Sequence, residues 1–186
     1  MKHLGTKELL GERLRLRRFV FGDAEAVYNV WASDDEVTKY LTWPTHQSVD
    51  TSKSYMEYSI PKYEEKDHYQ WAIELKESHE LIGEISVVNI EGDSAELGWV
   101  LGRKYWGHTY MKEAAELVIK YLFDEINVKE IIGKHDVNNP KSGRVMQKLG
   151  MHFEGIYPGA GKNNQGIVDL AVYRLKRDDY ELHKNY

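Results

Sequence analysis

Three β-like runs, Tyr69 to Leu75, Leu81 to Ile90 and Ala95 to Leu101, follow one another with only Lys76 to Glu80 and Glu91 to Ser94 between them. Linkers that short and turn-rich leave no room for a helix, so the runs are expected to form antiparallel hairpins. The period then changes. From Met111 to Asn127 the apolar positions Ala115, Leu117, Val118, Tyr121 and Leu122 recur at helical spacing, and a strand from Glu130 to Val137 follows. A meander that ends in a strand-helix-strand crossover commits the chain to a mixed sheet flanked by helices.

The remaining segments extend this frame. Arg13 to Arg17 alternates leucine and arginine, predicting a strand with one buried face. Phe21-Gly22-Asp23 opens a helix carrying Ala24, Val27, Val30 and Trp31, with Asp23 as N-cap, and a second helix over Asp50 to Glu65 breaks near Pro61. Between them lies the aromatic loop Tyr40-Leu41-Thr42-Trp43-Pro44. A helix from Pro140 to Leu149 is expected to start at a proline with Asn139 as cap and to stop at Gly150, before strands at Phe153 to Tyr157 and Ile167 to Leu175. The order is β-α-α-β-β-β-α-β-α-β-β, with no repeat or linker to divide it. At 186 residues the chain reads as a single domain, 1–186, with its core at about 10–180.

Composition excludes several kinds of function. A net charge of −5 argues against a phosphate-binding basic face for nucleic acid. Without cysteine there is no disulfide, thiolate nucleophile or cysteine-based zinc site, and the scattered histidines imply no metal. No apolar run approaches the roughly 20 residues of a membrane span, so a cytoplasmic protein, monomer or homodimer, is expected.

Two places could carry chemistry. Leu101 to Met111 passes from strand through Gly102 and Gly107 into a helix, whose unpaired N–H groups suit an anion such as phosphate; without further motifs the same turn is an ordinary corner. His135-Asp136-Val137-Asn138-Asn139-Pro140-Lys141-Ser142 ends a strand in amides and projects a hydroxyl from the next helix. Capping accounts for Asn139 and Pro140 but not for Ser142.

Taken together, Ala95-Glu96-Leu97-Gly98-Trp99, Tyr105-Trp106-Gly107-His108-Thr109-Tyr110-Met111-Lys112-Glu113-Ala114, Asn139-Pro140-Lys141-Ser142 and Lys148-Leu149-Gly150-Met151-His152-Phe153-Glu154-Gly155 resemble the GNAT N-acetyltransferase superfamily, nearest its RimJ/RimL-like branch. The resemblance covers about residues 10 to 180. It implies an α/β (α+β mixed) GNAT fold: a mostly antiparallel, six- to seven-stranded mixed sheet flanked by helices, with a splayed central strand pair.

The implied activity is acetyl transfer from acetyl-coenzyme A to a primary amine, foremost the α-amine of a ribosomal-protein-type N-terminus. A small amine such as an antibiotic or polyamine is the alternative acceptor, and a catalytically weak coenzyme A-binding module the alternative role. The family's Gln/Arg-x-x-Gly-x-Gly/Ala signature reads here as Lys104-Tyr105-Trp106-Gly107-His108-Thr109. Coenzyme contacts are therefore expected from Trp99, Val100 and Leu101 on the strand, from Lys104, Trp106, Gly107, His108, Thr109, Tyr110 and Met111 in the loop and helix start, and from Asn139 and Ser142. Thr109 departs from the small residue of the signature, keeping its N–H and adding a hydroxyl donor.

For catalysis, Ser142 is the expected proton donor to the coenzyme sulfur. Glu96 is the first candidate for the base, the alternative being a solvated or arginine-paired glutamate, and Glu84 is held in reserve. His108 reads as a surface group near the coenzyme. Tyr40 and Trp43 wall either the acceptor pocket or the core.

Overall fold

A computed structural model describes residues 1–184. Its sheet has eight strands: β1 (Leu9–Leu10), β2 (Leu14–Arg17), β3 (Gln70–Leu75), β4 (Leu81–Glu91), β5 (Ser94–Leu101), β6 (Glu130–Asp136), β7 (His152–Asn163) and β8 (Gly166–Lys176), in the spatial order β1-β2-β3-β4-β5-β6-β8-β7. Every pairing is antiparallel except β5 with β6, the two joined by a helical crossover. The eighth strand is the two-residue β1, too short to leave an alternation in the sequence. The last hairpin is longer than expected, because Pro158 to Lys162 carries no apolar period and yet continues β7 through an irregularity between Tyr157 and Gly161.

The helices are α1 (Ala24–Val27), α2 (Asp35–Thr38), α3 (Val49–Ser59), α4 (Tyr110–Tyr121), α5 (Pro140–Lys148) and α6 (Arg177–Lys184). The α3 helix gives way at Pro61 to a tighter turn over Ile60–Glu64, as the missing proline N–H requires. The expected helix to Asn127 ends in regular form at Tyr121 and continues as a wider turn to Ile126, where Asn127 turns left-handed at φ 64°. At the other end of α5, Gly150 adopts φ 74° and Met151 N–H closes onto the Met146 carbonyl at 3.1 Å, the predicted stop.

Two apolar layers sandwich the sheet. On one face Leu14, Leu16, Trp71, Ile73 and Leu97 pack beneath α4, whose Ala114, Ala115 and Val118 are fully buried. On the other, Phe19, Val27, Trp31, Met56, Ala72 and Val100 pack beneath α1 and α3. Burying a side chain such as Leu14 or Met56 contributes about 2 kcal/mol. Asp23 does not act as the expected N-cap. It accepts the Val20 N–H at 2.8 Å and both terminal nitrogens of Arg17 at 2.8 and 2.9 Å, while Arg17 Nε donates to Glu74 at 2.6 Å. The alternation of β2 thus sends its leucines into one layer and Arg17 into a carboxylate pair under the other.

Candidate active site

The site begins with an interrupted pairing. β5 and β6 match residue for residue from Ser94↔Glu130 to Leu97↔Gly133 and then part. Beyond that point β5 stays bonded to β4 as far as Leu101, and β6 to β8 as far as Asp136, so each strand is held on its outer side only. On β4 an irregularity between Val87 and Asn89 lies beside the parting point, and Val88 fills the space where a Cβ on Gly98 would stand, 2.7 Å from its Cγ1. A bulge bends its strand, and this one sits beside the point where β5 leaves β6.

This splay has a consequence for side chains on opposite faces. Ala95, Leu97 and Trp99 point with Gly133 and His135 towards α4 and α5; Glu96, Gly98 and Val100 point with Lys134 towards α3. A closed sheet would keep the two sets apart. In the splay they border one cleft of about 1010 Å³, lined by Glu84, Glu96, Trp99, Trp106, Asn139 and Ser142 among others.

At one end of the cleft the chain enters α4. Gly107 has φ 84° and faces open space, with no atom within 4 Å of where a Cβ would stand. Thr109 at the N-cap has φ 60°, rare for a β-branched residue and costing on the order of 1 kcal/mol or more. The Thr109 hydroxyl donates to the His108 carbonyl at 2.6 Å and accepts from Arg13 Nη2 at 3.2 Å, leaving the first N–H groups of α4 without a side-chain cap. Arg13 fastens the loop from behind, donating to the His108 carbonyl at 2.9 Å and to Glu113 at 2.8 Å. A glycine turn and uncapped N–H groups beside an unpaired strand edge fit a pyrophosphate with an extended arm.

The α5 wall carries the hydroxyl. Asn139 holds the N-cap position but does not cap with its side chain; its Nδ2 donates to Ser142 Oγ at 3.2 Å. Behind them His135 Nδ1 donates to the Asp136 carbonyl at 2.7 Å, and the buried Nε2 packs against Gly143 with no hydrogen-bond partner. Its ring lies along Tyr173, centroids 5.7 Å apart.

Two carboxylates face the cleft from the α3 side. Glu96 accepts from Lys134 Nζ at 2.7 Å, so its partner comes from β6 and not from the arginines of the first strand. The register explains this: Glu96 lies opposite Ile132, and Lys134 is the diagonal neighbour on the same face. Glu84, opposite Val100, is buried, and both its oxygens accept from Tyr55 Oη, at 2.9 and 3.0 Å, with Gln70 Nε2 donating at 2.9 Å. Burial raises the Glu84 carboxyl above the ordinary glutamate range, against the lowering effect of these donors.

The aromatic loop closes the α3 side. Tyr40 Oη donates to the Asn138 carbonyl at 2.8 Å, and Asn164, at the tip of the β7–β8 hairpin, donates to the Trp43 carbonyl at 2.7 Å and the Thr38 carbonyl at 2.9 Å. Tyr40 and Trp43 line the cleft, and Trp43 also packs on the α1–α3 core.

Of the expected coenzyme residues, Trp99, Val100, Leu101, Trp106, Gly107, Thr109, Tyr110, Met111, Asn139 and Ser142 line the cleft. Lys104 and His108 are not in its lining: Lys104 pairs with Glu80 at 3.7 Å, and the His108 ring rests on Tyr110 at 5.6 Å. The Leu101 carbonyl is already taken by Trp106 Nε1 at 2.8 Å. Sequence reasoning missed Tyr55, Gln70, Lys134 and Asn164, which meet their partners only through register and loop packing. Among the described residues no cluster of three or more histidines and carboxylates could hold a metal ion, and no helix is long and apolar enough to cross a membrane.

Known proteins share this architecture. Residues 13–152 match the family model described as an acetyltransferase (GNAT) domain. The Bacillus subtilis protein named uncharacterized N-acetyltransferase YnaD is 33% identical over 179 residues, covering 96% of this chain and 99% of its own. Among solved structures, a GNAT-family acetyltransferase from Bacillus anthracis is 28% identical with a TM-score of 0.81, over 92% of this chain and 99% of that one. The ribosomal-protein-S5-alanine acetyltransferase of Vibrio fischeri shares the fold, with a TM-score of 0.80 at 20% identity over 94% of this chain and 98% of that one. The chain belongs to the GNAT acetyltransferase family and is an acetyl-coenzyme A-dependent N-acetyltransferase.

Proposed function

We propose that the acceptor is a weakly basic primary amine, foremost the α-amine of a peptide or protein N-terminus, that Glu96 is its base and that Ser142 serves the leaving sulfur. The observation carrying this reading is that Glu96, on the α3 side of the sheet, and Ser142, on α5 at its other side, line the same cleft at the β5–β6 splay. The coenzyme supplies an acetyl group activated as a thioester. Its pyrophosphate falls to the Trp106–Met111 turn and its arm to the free edge of β5, with Asn139 beside it. The amine then comes from the α3 side, past Tyr40 and Trp43.

Glu96 takes a proton from the amine, and the Ser142 hydroxyl, held by Asn139, offers one to the sulfur. The Glu96 carboxylate accepts from Lys134, so the amine has to approach beside that ion pair. An α-amine with a pKa near 8 costs roughly 1.4 kcal/mol to deprotonate at pH 7, whereas a lysine-like amine costs roughly 4.6 kcal/mol.

The test is thiol release from acetyl-coenzyme A in the presence of N-terminal peptides, polyamines and aminoglycosides in parallel. Turnover with free α-amines and none with their N-blocked counterparts is expected. Turnover confined to the small amines overturns the acceptor assignment, and coenzyme binding without turnover on any amine overturns the catalytic roles.

A further inference from the structure

The cleft-lining cations divide into two kinds. Of the seven lysines and arginines along it, Lys39, Lys112 and Lys134 pair with Glu36, Glu116 and Glu96, and Lys62 with the Tyr58 hydroxyl, which leaves Lys141, Arg144 and Lys148. No carboxylate pairs with these three among the described residues, although the chain carries more acidic than basic groups. They stand at i, i+3 and i+7 on α5, one exposed stripe opposite the buried Gly143 and Met146. Lys141 also lies over the Trp106 ring, 3.6 Å from its centroid, tying the head of the stripe to the turn that enters α4.

A stripe of this kind has a charge to answer. Beyond the pyrophosphate, coenzyme A carries a 3′-phosphate on its adenosine ribose, a monoester close to doubly charged at neutral pH. In the loop Arg103, Lys104 and Arg13 each have a carboxylate partner, Asp34, Glu80 and Glu113. The α5 stripe extends about 10 Å from beside that loop along the α4–α5 side of the cleft.

We propose that Lys141, Arg144 and Lys148 form the subsite for the 3′-phosphomonoester of the coenzyme, so that the enzyme distinguishes coenzyme A from its 3′-dephospho form. This rests on the coenzyme lying along the splay as described above.

The experiment is calorimetric titration of coenzyme A and of 3′-dephospho-coenzyme A into wild-type protein and into the K141Q/R144Q/K148Q variant. Wild type is expected to bind coenzyme A roughly tenfold more tightly than the dephospho form, the sum of a few solvent-exposed ion pairs. In the variant that ratio falls to about one while the dephospho affinity stays within about twofold, and K148Q alone, remote from Asn139, lowers the ratio part of the way. A wild type that binds both ligands equally overturns this proposal and leaves the coenzyme site intact. So does a variant that loses both affinities equally. Failure of wild type to bind either ligand overturns the coenzyme placement itself.

Discussion

The α3 side of the sheet holds two buried acid clusters, built on neighbouring strands, with opposite electrostatic outcomes. In one, Glu74 of β3 and Asp23 share the Arg17 guanidinium, and Glu74 is held below the ordinary range by the Arg17 and His79 hydrogen bonds, which outweigh its burial. In the other, Glu84 of β4 has only the neutral donors Tyr55 and Gln70, and burial raises it. Burial alone therefore does not set the state of a carboxyl; the presence of a cation decides it. The first cluster locks the β2–β3 edge to the helices. The second lies in the cleft, and among the described residues its carboxyl has no ion pair. Glu96, on the next strand β5, is paired with Lys134 and lies at the mouth of the splay.

The largest effect should come from making the first cluster resemble the second. Arg17→Met strands Asp23 without its cation and leaves Glu74 only the longer pair with Arg15 at 3.6 Å, and should cost about 3 kcal/mol in denaturant unfolding. A loss under about 1 kcal/mol would mean that solvent, not Arg17, satisfies these carboxylates.

Glu96→Gln comes next. Turnover should fall by about a hundredfold, most steeply at low pH where the amine is fully charged, with coenzyme affinity and melting temperature nearly unchanged. Wild-type rates in this variant would transfer the base to Glu84, the carboxyl without a cation. Ser142→Ala should lower turnover roughly tenfold while coenzyme affinity moves by less than about twofold; equal losses in both would make the hydroxyl a binding group only.

The smallest effect probes the second cluster directly. A carboxyl raised in the folded state contributes stability fully below its unfolded pKa of about 4.3 and loses it as pH rises through the folded value. Glu84→Gln removes the charge that folding disfavours, so its melting temperature should exceed that of wild type at pH 8. The difference should close as the pH drops towards 4. A variant less stable than wild type at pH 8 would show that the Tyr55 and Gln70 hydrogen bonds outweigh the burial penalty.

Much of this fold is written in local pattern. The short linkers after Leu75 and Ile90 dictate the meander, the alternation of Leu14 to Arg17 dictates which face of β2 is buried, and the Pro140 to Gly150 punctuation bounds α5 to within a residue. Asn139 and Ser142 are legible as a pair because helical spacing alone puts them within reach of each other. Asp23 is not, for a physical reason: a single acid before a helix looks the same whether it caps the backbone or pairs with an arginine six residues earlier. Thr109 is equally ambiguous, since its hydroxyl direction depends on the left-handed backbone that turns it towards His108 and Arg13.

By itself the sequence determined the element order, the two apolar faces and the identity of the loop and helix residues that border the cleft. The first two follow from periodicity and turn chemistry, which act over a few neighbouring residues, and the last from the resemblance of the motifs to the GNAT family. Only the tertiary structure decided where β5 leaves β6, that Lys134 and not an arginine meets Glu96, and that Glu84 is buried without a cation. Those outcomes depend on strand register and on which remote side chain shares a face. A one-residue shift in register would move every one of them to the other side of the sheet.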